Sequence, residues 1–529
     1  MKLNMKMIVA VFVATFFVGA TAFAANPKRE LRSVWYTTVS SMDWPVTIGV
    51  GEDVQAAQKQ EMRDYLDKMK ALNITSVCFQ VRSESDAMYK SAYCPWSSYL
   101  TGERGLEPGW DPLTFAVEEC HKRGMECWAW MNPYRWSRSG YNKWNTEHDK
   151  EMKRDGWLLS HDGKYITLNP ALEKCRKRIV DVCKEVVENY AVDGVLFDDY
   201  FYPNHIAQDS TAADYALYSV TSNGMSIGDW RRANVNLMVK EVYEMIQNLR
   251  PDVRFGISPA GIAGKADTSG ARYTGFNPCD VKAPDWQYAT IFSDPLAWYE
   301  QKSIDFLSPQ IYWATWHSTA PYEPICEYWS NVANYFGRHF YSSHSIGSAN
   351  KRVKGESPRR KPDPAVFGEY VKQVEANRKY DKNNASGSIY FAARGLYGRN
   401  KGDAAVGDTL MKYCYNKLAL NPVITWKKAP NLGQVAHVQM KKGVLSWDKV
   451  EHGKSIVKYT IYAVPQKVSL ADAMSADGDG IDAKYLLAIS YDNMYKLPKN
   501  KQGKYWYAIC VYDGYGNEFT PVTLKYKGK

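Results

Sequence analysis

DGVLFDDYFYP, residues 193–203, is the stretch on which the fold turns. Val195, Leu196 and Phe197 suit a short strand buried on both faces, as in a parallel sheet wrapped by helices. Two adjacent carboxylates, Asp198 and Asp199, follow at its carboxyl end. In a parallel α/β barrel that end carries the loops that build an active site, so acids there read as chemistry. An acidic turn or a helix N-cap is the alternative reading of the same pair.

Outward from this strand, strand patterns alternate with helical ones. Upstream, Leu31 to Val39, Ile74 to Val81 and Glu126 to Met131 read as strands, with amphipathic helices at Glu61 to Lys70 and Leu113 to Arg123 between them. Gly124 supplies the stop signal of the second helix. A long polar and aromatic insertion and the helix Glu173 to Tyr190 then lead into the opening stretch. Downstream, helix Arg231 to Leu249 precedes a fifth strand, Arg254 to Ser258, and a short helix from Pro295 to Lys302 precedes a sixth, Asp305 to Trp313. Pro309 is awkward inside that strand, because proline removes a ladder donor. Arg338 to Ile346, the helix Val366 to Lys379, Gly387 to Ala393 and a closing helix near Asp403 to Leu418 complete the pattern. Eight strands with seven crossovers predict an α/β chain with a (β/α)8 barrel over residues 25–420. A doubly wound sheet is the alternative, but neither a glycine-rich phosphate turn nor a P-loop is present.

From Pro422 onward, short alternating segments such as Val444 to Trp447, Val457 to Val464 and Tyr505 to Tyr512 are separated by turn residues. They predict a small all-β sandwich over residues 421–529. Trp447, the Tyr459 and Tyr462 strand, and the Tyr505 and Tyr507 strand before Asp513-Gly514 resemble a fibronectin type III module.

Residues 1–24 read as a signal peptide: Lys2 and Lys6, an apolar run from Ile8 to Val18, and the small-x-small site Ala22-Phe23-Ala24. No cysteine lies beside the cleavage site and no later run is long enough to span a membrane, so a soluble periplasmic or secreted protein is expected. The 67 Lys and Arg against 57 Asp and Glu give a net charge of +10 without a dense basic tract. That excess favours carboxylate-bearing glycans or anionic surfaces over nucleic acid. Cys175 and Cys183 fall on the apolar stripe of a helix and read as buried free thiols. No CxxC pair or His-rich spacing appears, so neither a structural zinc nor another cofactor is expected.

The strand ends assemble one mouth. Gln80, Arg82, Glu84 and Asp86 follow strand two, and Asn132, Pro133, Tyr134 and Arg135 follow strand three. Asp198, Asp199 and Tyr202 follow strand four, Ser258 and Pro259 strand five, and Gln310, Tyr312, Trp313 and His317 strand six. Hydrolysis of a glycosidic bond needs this set: a carboxylate opposite the anomeric carbon, an acid for the leaving oxygen, and hydrogen-bonding groups for hydroxyls. The 18 Trp and 38 Tyr make aromatic platforms for sugar rings plentiful. Arg82 with Asp86 reads equally as a structural ion pair, Trp313 and Trp316 as caps on the barrel core, and His317 as a loop hydrogen-bonder.

The ordered motifs LRSVWYTTVSSMDWP, FQVRSESDAMY, WAWMNPYR, VDGVLFDDYFYP, FGISPAGI and DFLSPQIYW resemble those of the bacterial glycosyl-hydrolase-like family ten, exported barrel proteins, from Glu30 to about Leu396. Some members of that family act on peptidoglycan glycan strands stripped of peptide, so the resemblance implies a glycan polymer as substrate. The family's usual glycine before the second-strand aspartate is Ser85 here, and an insertion of unfamiliar sequence follows Ala260-Gly261-Ile262. The Asp-Gly-x-x-x-Asp pattern resembles nucleophile strands of retaining α-glycosidases, which by analogy selects Asp198 as nucleophile or transition-state carboxylate. Asp199 would then position a neighbouring loop or Arg82. Chitinase-type substrate assistance is disfavoured, because its glutamate would fall at Tyr200. The proton donor is nominated from Asp294, Glu84 and Asp86, in that order. An α-glucan hydrolase and a non-catalytic glycan-binding wall protein remain as alternatives.

Overall fold

The computed structural model describes residues 26–140, 143–263, 281–347, 366–383, 385–398 and 405–525; the expected signal peptide lies outside them. Eight strand-helix units follow one another. They are β1 Leu31–Tyr36 and α1 Glu52–Ala71, β2 Ser76–Arg82 and α2 Pro112–Lys122, β3 Glu126–Met131 and α3 Glu173–Asn189, and β4 Gly194–Phe197 and α4 Ile227–Leu249. β5 Arg254–Ile257 and α5 Pro295–Glu300 come next, then β6 Phe306–Leu307 and α6 Tyr322–Phe336. β7, in the segments His339–Phe340 and Ser342–Ser345, is followed by α7 Phe367–Tyr380, and β8 Gly387–Phe391 by α8 Val406–Tyr413.

β7 closes the sheet. Its first segment pairs with β6 and its second with β8, all in parallel, so the strand order begins and ends on the same strand. The result is the (β/α)8 barrel. Its interior is filled from alternate strand positions by Leu31, Trp35, Cys78, Trp128, Trp130, Leu196, Phe306, Tyr341 and Ile389. Small residues make room for the large ones: a Cβ on Gly194 would lie 2.9 Å from the Trp128 ring, and one on Gly256 2.4 Å from Phe306.

The differences from expectation have local causes. β6 makes only two ladder residues instead of the run to Trp313, because Pro309 has no N–H to give, and pairing resumes only in bridges from Gln310 to Ala260 and Ser343. α1 begins at Glu52, with Glu52 and Asp53 in its first turn. α8 is shorter than the expected closing helix. The insertion after β3 carries a three-stranded antiparallel sheet, Arg135–Ser137, Ile166–Leu168 and Leu158–Ser160, and the helix Glu147–Arg154, capped by a Thr146–Asp149 box. All nine described cysteines, Cys175 and Cys183 among them, are buried free thiols.

After the barrel come two antiparallel sheets. One holds Gln439–Lys441, Val444–Ser446 and Met494–Lys496; the other holds Leu486–Ser490, Val457–Pro465, Tyr505–Asp513 and Val522–Lys525. Leu445, Trp447, Tyr459, Ile461, Tyr507, Ile509 and Val511 form a core from both sheets.

This region packs under the barrel, against the amino ends of the strands. Lys458 Nζ lies 2.7 Å from Glu126 at the start of β3, with both side chains buried. Lys427 Nζ is 2.7 Å from Asp305 just before β6, and Arg254, the first residue of β5, donates to Pro422 O at 2.7 Å. Asp193 accepts from Tyr491 Oη at 3.0 Å, from Cys127 N at 2.9 Å and pairs with His121 at 2.8 Å. Burial would pull the Lys458 ammonium down, but Glu126, Tyr512 and Asp193 outweigh it and hold it above its ordinary value. Removing one partner of such a pair strands the other charge. Lys458→Met is therefore expected to cost about 3–5 kcal/mol, read as a lower urea midpoint, and adding Glu126→Gln should recover part of that loss.

Candidate functional site

The opening stretch spans the barrel from end to end. Asp193 is anchored at the base, and five residues later Asp198 emerges at the mouth. Gly194 and Leu196 face the interior, so strand alternation carries Asp198 inward as well. The strand ends at Phe197, which frees Asp199 from that alternation, and the Gln310 side chain hydrogen-bonds it.

Asp198 is held by a chain of amides from the neighbouring strands. The Thr38 and Val39 amides both donate to Gln80 Oε1 at 2.9 Å, which turns the Gln80 NH2 toward Asn132 Oδ1 at 2.7 Å. Arg135 Nη2 donates to the same Asn132 oxygen at 2.8 Å. The Asn132 NH2 is thereby directed at Asp198 Oδ2. The Trp130 indole N–H and the Tyr200 backbone N–H also hydrogen-bond this buried carboxyl.

Burial is the largest influence on both carboxyls. It pushes Asp198 up to about 8 against the pull of Arg135, and the neighbouring Asp199 charge adds to the rise. Asp199 is pushed up to about 6, with the Gln310 hydrogen bond opposing. Burial and the repulsion between the two charges thus favour a proton on the pair.

Beside the pair stand Tyr200, Gln310 and Tyr312, with Phe391 against Tyr312, all half-buried, whereas Trp313 stands by His317 with ring centroids 6.3 Å apart. The Arg135 guanidinium lies 5.5 Å from the centre of the Tyr200 ring, and Tyr312 stacks on Phe391 with centroids 6.2 Å apart. Trp130 and Trp35 form the floor, centroids 4.6 Å apart. Tyr165, from the turn of the insertion sheet, has a buried hydroxyl without a partner and feels the charge of both aspartates.

The other expected residues separate into supports and core. Arg82 makes no ion pair with Asp86; its Nη1 donates to the carbonyls of Asn132 and Pro133, and its Nη2 to Ser85 Oγ at 2.9 Å. Ser85 adopts φ +51°, the left-handed region that favours glycine, and its hydroxyl also donates to Arg135 O at 3.0 Å. The serine thus ties the second and third loops together where glycine could not. Asp86 turns back onto the Ser83 and Glu84 amides at 2.9 and 2.8 Å. Burial would raise its carboxyl, but Arg104 and these amides hold it below the usual range. Glu84 accepts from Tyr99 Oη at 2.8 Å and from Arg138 N at 2.9 Å. Asp294 caps α5 by accepting from Ala297 N at 3.2 Å.

Tyr134 and Tyr202 are fully buried in the layer between sheet and helices and do not line the mouth. His317 is the loop hydrogen-bonder, accepting from Ala320 N at 3.0 Å, and Trp316 is exposed rather than a cap on the core. Trp130 and Tyr165 were not singled out from sequence. Inward parity on β3, through Trp128 and Trp130 to Asn132, marks the first, whereas no local pattern marks the second. Among the described residues no cluster of three or more His, Cys, Asp or Glu side chains is placed to hold a metal ion.

The family model described as glycosyl hydrolase-like 10 matches residues 30–361. The chain is 34% identical over 473 residues to glycosyl hydrolase YngK of Bacillus subtilis (strain 168), covering 87% of each. It is 32% identical over 394 residues to glycosyl hydrolase DigH of Escherichia coli (strain K12), covering 70% of this chain and 84% of the relative. Among solved structures, the catalytic domain of beta-amylase from Paenibacillus polymyxa is similar at 10% identity and TM-score 0.47, over 74% of this chain and 99% of that one. On the family match and the identity to these relatives, the chain belongs to the glycosyl hydrolase-like 10 family.

Proposed function

We propose that the protein is an exported glycoside hydrolase acting on peptide-free peptidoglycan glycan strands. The observation that carries the reading is the Asp198–Asp199 pair, facing Arg135 under a rim of half-buried aromatic side chains. One neutral and one charged carboxyl can serve proton transfer to a leaving oxygen and stabilisation of positive charge at an anomeric carbon. Two glycosyl hydrolases among its relatives support the reaction class. The net charge of +10 suits strands whose lactyl carboxylates are bared when peptides are removed.

Incubation with denuded strands, intact peptidoglycan and starch is expected to release soluble products from the denuded strands. Products from starch alone would make it an α-glucan hydrolase; binding without products would make it a glycan-binding protein. The mature chain is expected to begin at Ala25, and mass spectrometry of native material showing Met1 to Ala24 retained would contradict export.

Asp198→Asn keeps the shape and removes the charge, so turnover should fall about a hundredfold or more. For wild type, activity should peak where the pair holds one proton, between about pH 6 and 8, and decline on either side. Because both folded pKa values lie above the unfolded carboxylate value, the stability linked to them is full below that value and is lost as pH rises through about 6 and then 8. Asp198→Asn escapes that loss, so its melting temperature should exceed that of wild type increasingly as pH rises. Differential scanning across pH reads this directly.

A further inference from the structure

Charge is divided unevenly along this chain. Residues 421–529 hold 16 lysines and no arginine against 9 Asp and Glu, so +7 of the net +10 lies in the sandwich region. Residues 25–420 are close to neutral, with 49 Lys and Arg against 48 Asp and Glu. Such an asymmetry belongs to a surface that meets anions, since the fold itself does not call for it. Many of these lysines gather in one place. Lys441, Val444 and Lys496 stand in register across the three-stranded sheet and so project to one side of it, away from Leu445 in the core. Lys442 adjoins that row, and Lys499 and Lys501 lie in the turn that follows it. Among the described residues none of these five lysines has an ion pair.

From Lys496 the basic surface continues into a cleft of about 680 Å³ between the sandwich and the underside of the barrel. The helices of a barrel run against its strands, so the carboxyl ends of α1 and α2 come down to the base and bring Lys70, Lys122 and Arg123 to one wall. Lys417, after α8, and Lys484 and Lys496 from the sandwich supply the rest, with Asp492 the one acid on the lining. Three of the six cations are answered: Lys122 by Glu119 at 3.0 Å, Arg123 by Asp67 at 2.7 Å and Lys484 by Asp482 at 2.8 Å. Lys70, Lys417 and Lys496 have no ion pair among the described residues. Lys70 is the informative one. Elsewhere at the base a buried ammonium has its carboxylate, as Lys458 has Glu126, Lys427 has Asp305 and Lys28 has Glu518. Lys70 is half-buried, and burial alone pulls its ammonium below the ordinary value, with nothing to oppose it. A cation withdrawn from water without a counter-charge inside the molecule is one left to be met from outside.

We propose that this cleft, with the lysine row leading from it, binds a carboxylate-bearing glycan strand at the end of the molecule opposite the aspartates. The cleft and its charge define the site; the identity of the strand rests on the glycan-hydrolase reading. Three features select a strand. The cleft is concave with Lys70 half-buried on its wall, so a chain can enter and a flat bilayer cannot reach that ammonium. The lysine row runs on outside it, so the ligand is longer than the cleft. The sandwich region also uses lysine alone. The planar fork of arginine suits bidentate clamping of one phosphate or carboxylate, whereas lysines are mobile point charges that suit carboxylates spaced along a flexible polymer. A strand held at the base keeps its remaining length close by and raises the concentration of cleavable bonds at the mouth without touching the reacting atoms. The effect therefore belongs to KM on long strands and not to kcat.

The test uses the full chain carrying Asp198→Asn, so that strands stay intact, with three probes: denuded strands, the same strands with their carboxyls reduced to alcohols, and phosphatidylglycerol vesicles. The denuded strands should bind most tightly. Lys417→Gln with Lys496→Gln, both exposed side chains, should weaken that binding about fivefold, and adding Lys70→Gln should bring the loss to about tenfold or more. Lys177→Gln with Lys240→Gln, on the flank of the barrel, removes as much charge as the first pair and should leave binding within about twofold. With Asp198 restored, the Lys417 and Lys496 changes should raise KM on long strands at unchanged kcat, and leave cleavage of a glycan too short to reach both ends of the molecule as it was. Equal binding of the carboxyl-reduced strands, an equal loss in the flank variant, unchanged affinity in the folded Lys417 and Lys496 variant, or a preference for the vesicles would overturn the inference and leave the hydrolase reading standing. Lysine-dependent binding of denuded strands without cleavage of any glycan would uphold this site and overturn the hydrolase reading.

Discussion

The mouth depends on a run of side-chain amides with no freedom to flip. Gln80 receives two backbone N–H groups on its oxygen, which leaves only its NH2 for Asn132. Asn132 receives Gln80 and Arg135 on its oxygen, which leaves only its NH2 for Asp198. Each residue therefore passes its orientation to the next, across the ends of four adjacent strands. In a low-dielectric interior a reversed amide would set carbonyl oxygen against carboxylate oxygen, so the chain is all-or-none. The arrangement explains why a carboxylate that burial disfavours still has a defined position.

At the opposite end the constraint is charge rather than orientation. The amino ends of the strands present Glu126, Asp193, Arg254 and Asp305, and the sandwich region answers them with Lys458, Tyr491, the Pro422 carbonyl and Lys427. An uncovered barrel would leave these groups to water. Covered, they are buried pairs, which give little net stability but penalise any misfit strongly. The two ends of residues 193–199 thus meet opposite outcomes: against burial, His121 and Lys458 hold the Asp193 carboxyl below its ordinary value, whereas burial pushes that of Asp198 above it.

The barrel was legible in the sequence because strand and helix periodicities alternate cleanly over some four hundred residues. Where the prediction missed, alternation had ceased to govern. Pro309 cut β6 to two residues. Beyond the strand ends, Tyr134 and Tyr202 turned into the helix layer rather than the mouth, since a turning chain no longer sorts side chains by parity. The three-residue strands of the insertion are too short for a periodic signal, so Tyr165, delivered by their turn, could be found only in three dimensions. Ser85 was visible as a departure from the family pattern, but its left-handed backbone and its link between two loops were not.

The leading end of the described chain also joins the base. Glu30 N donates to Leu420 O at 2.9 Å, while Lys28 lies 2.6 Å from Glu518 and Arg29 2.8 Å from Asp479. Anything that grips this molecule by its first residues or by the sandwich therefore grips it from below, with the aspartates on the far side. A long polymer would not have to thread past such a support. The top is left open, and the distance of the aspartates from any surface that holds the base is set by the height of the barrel together with the sandwich beneath it.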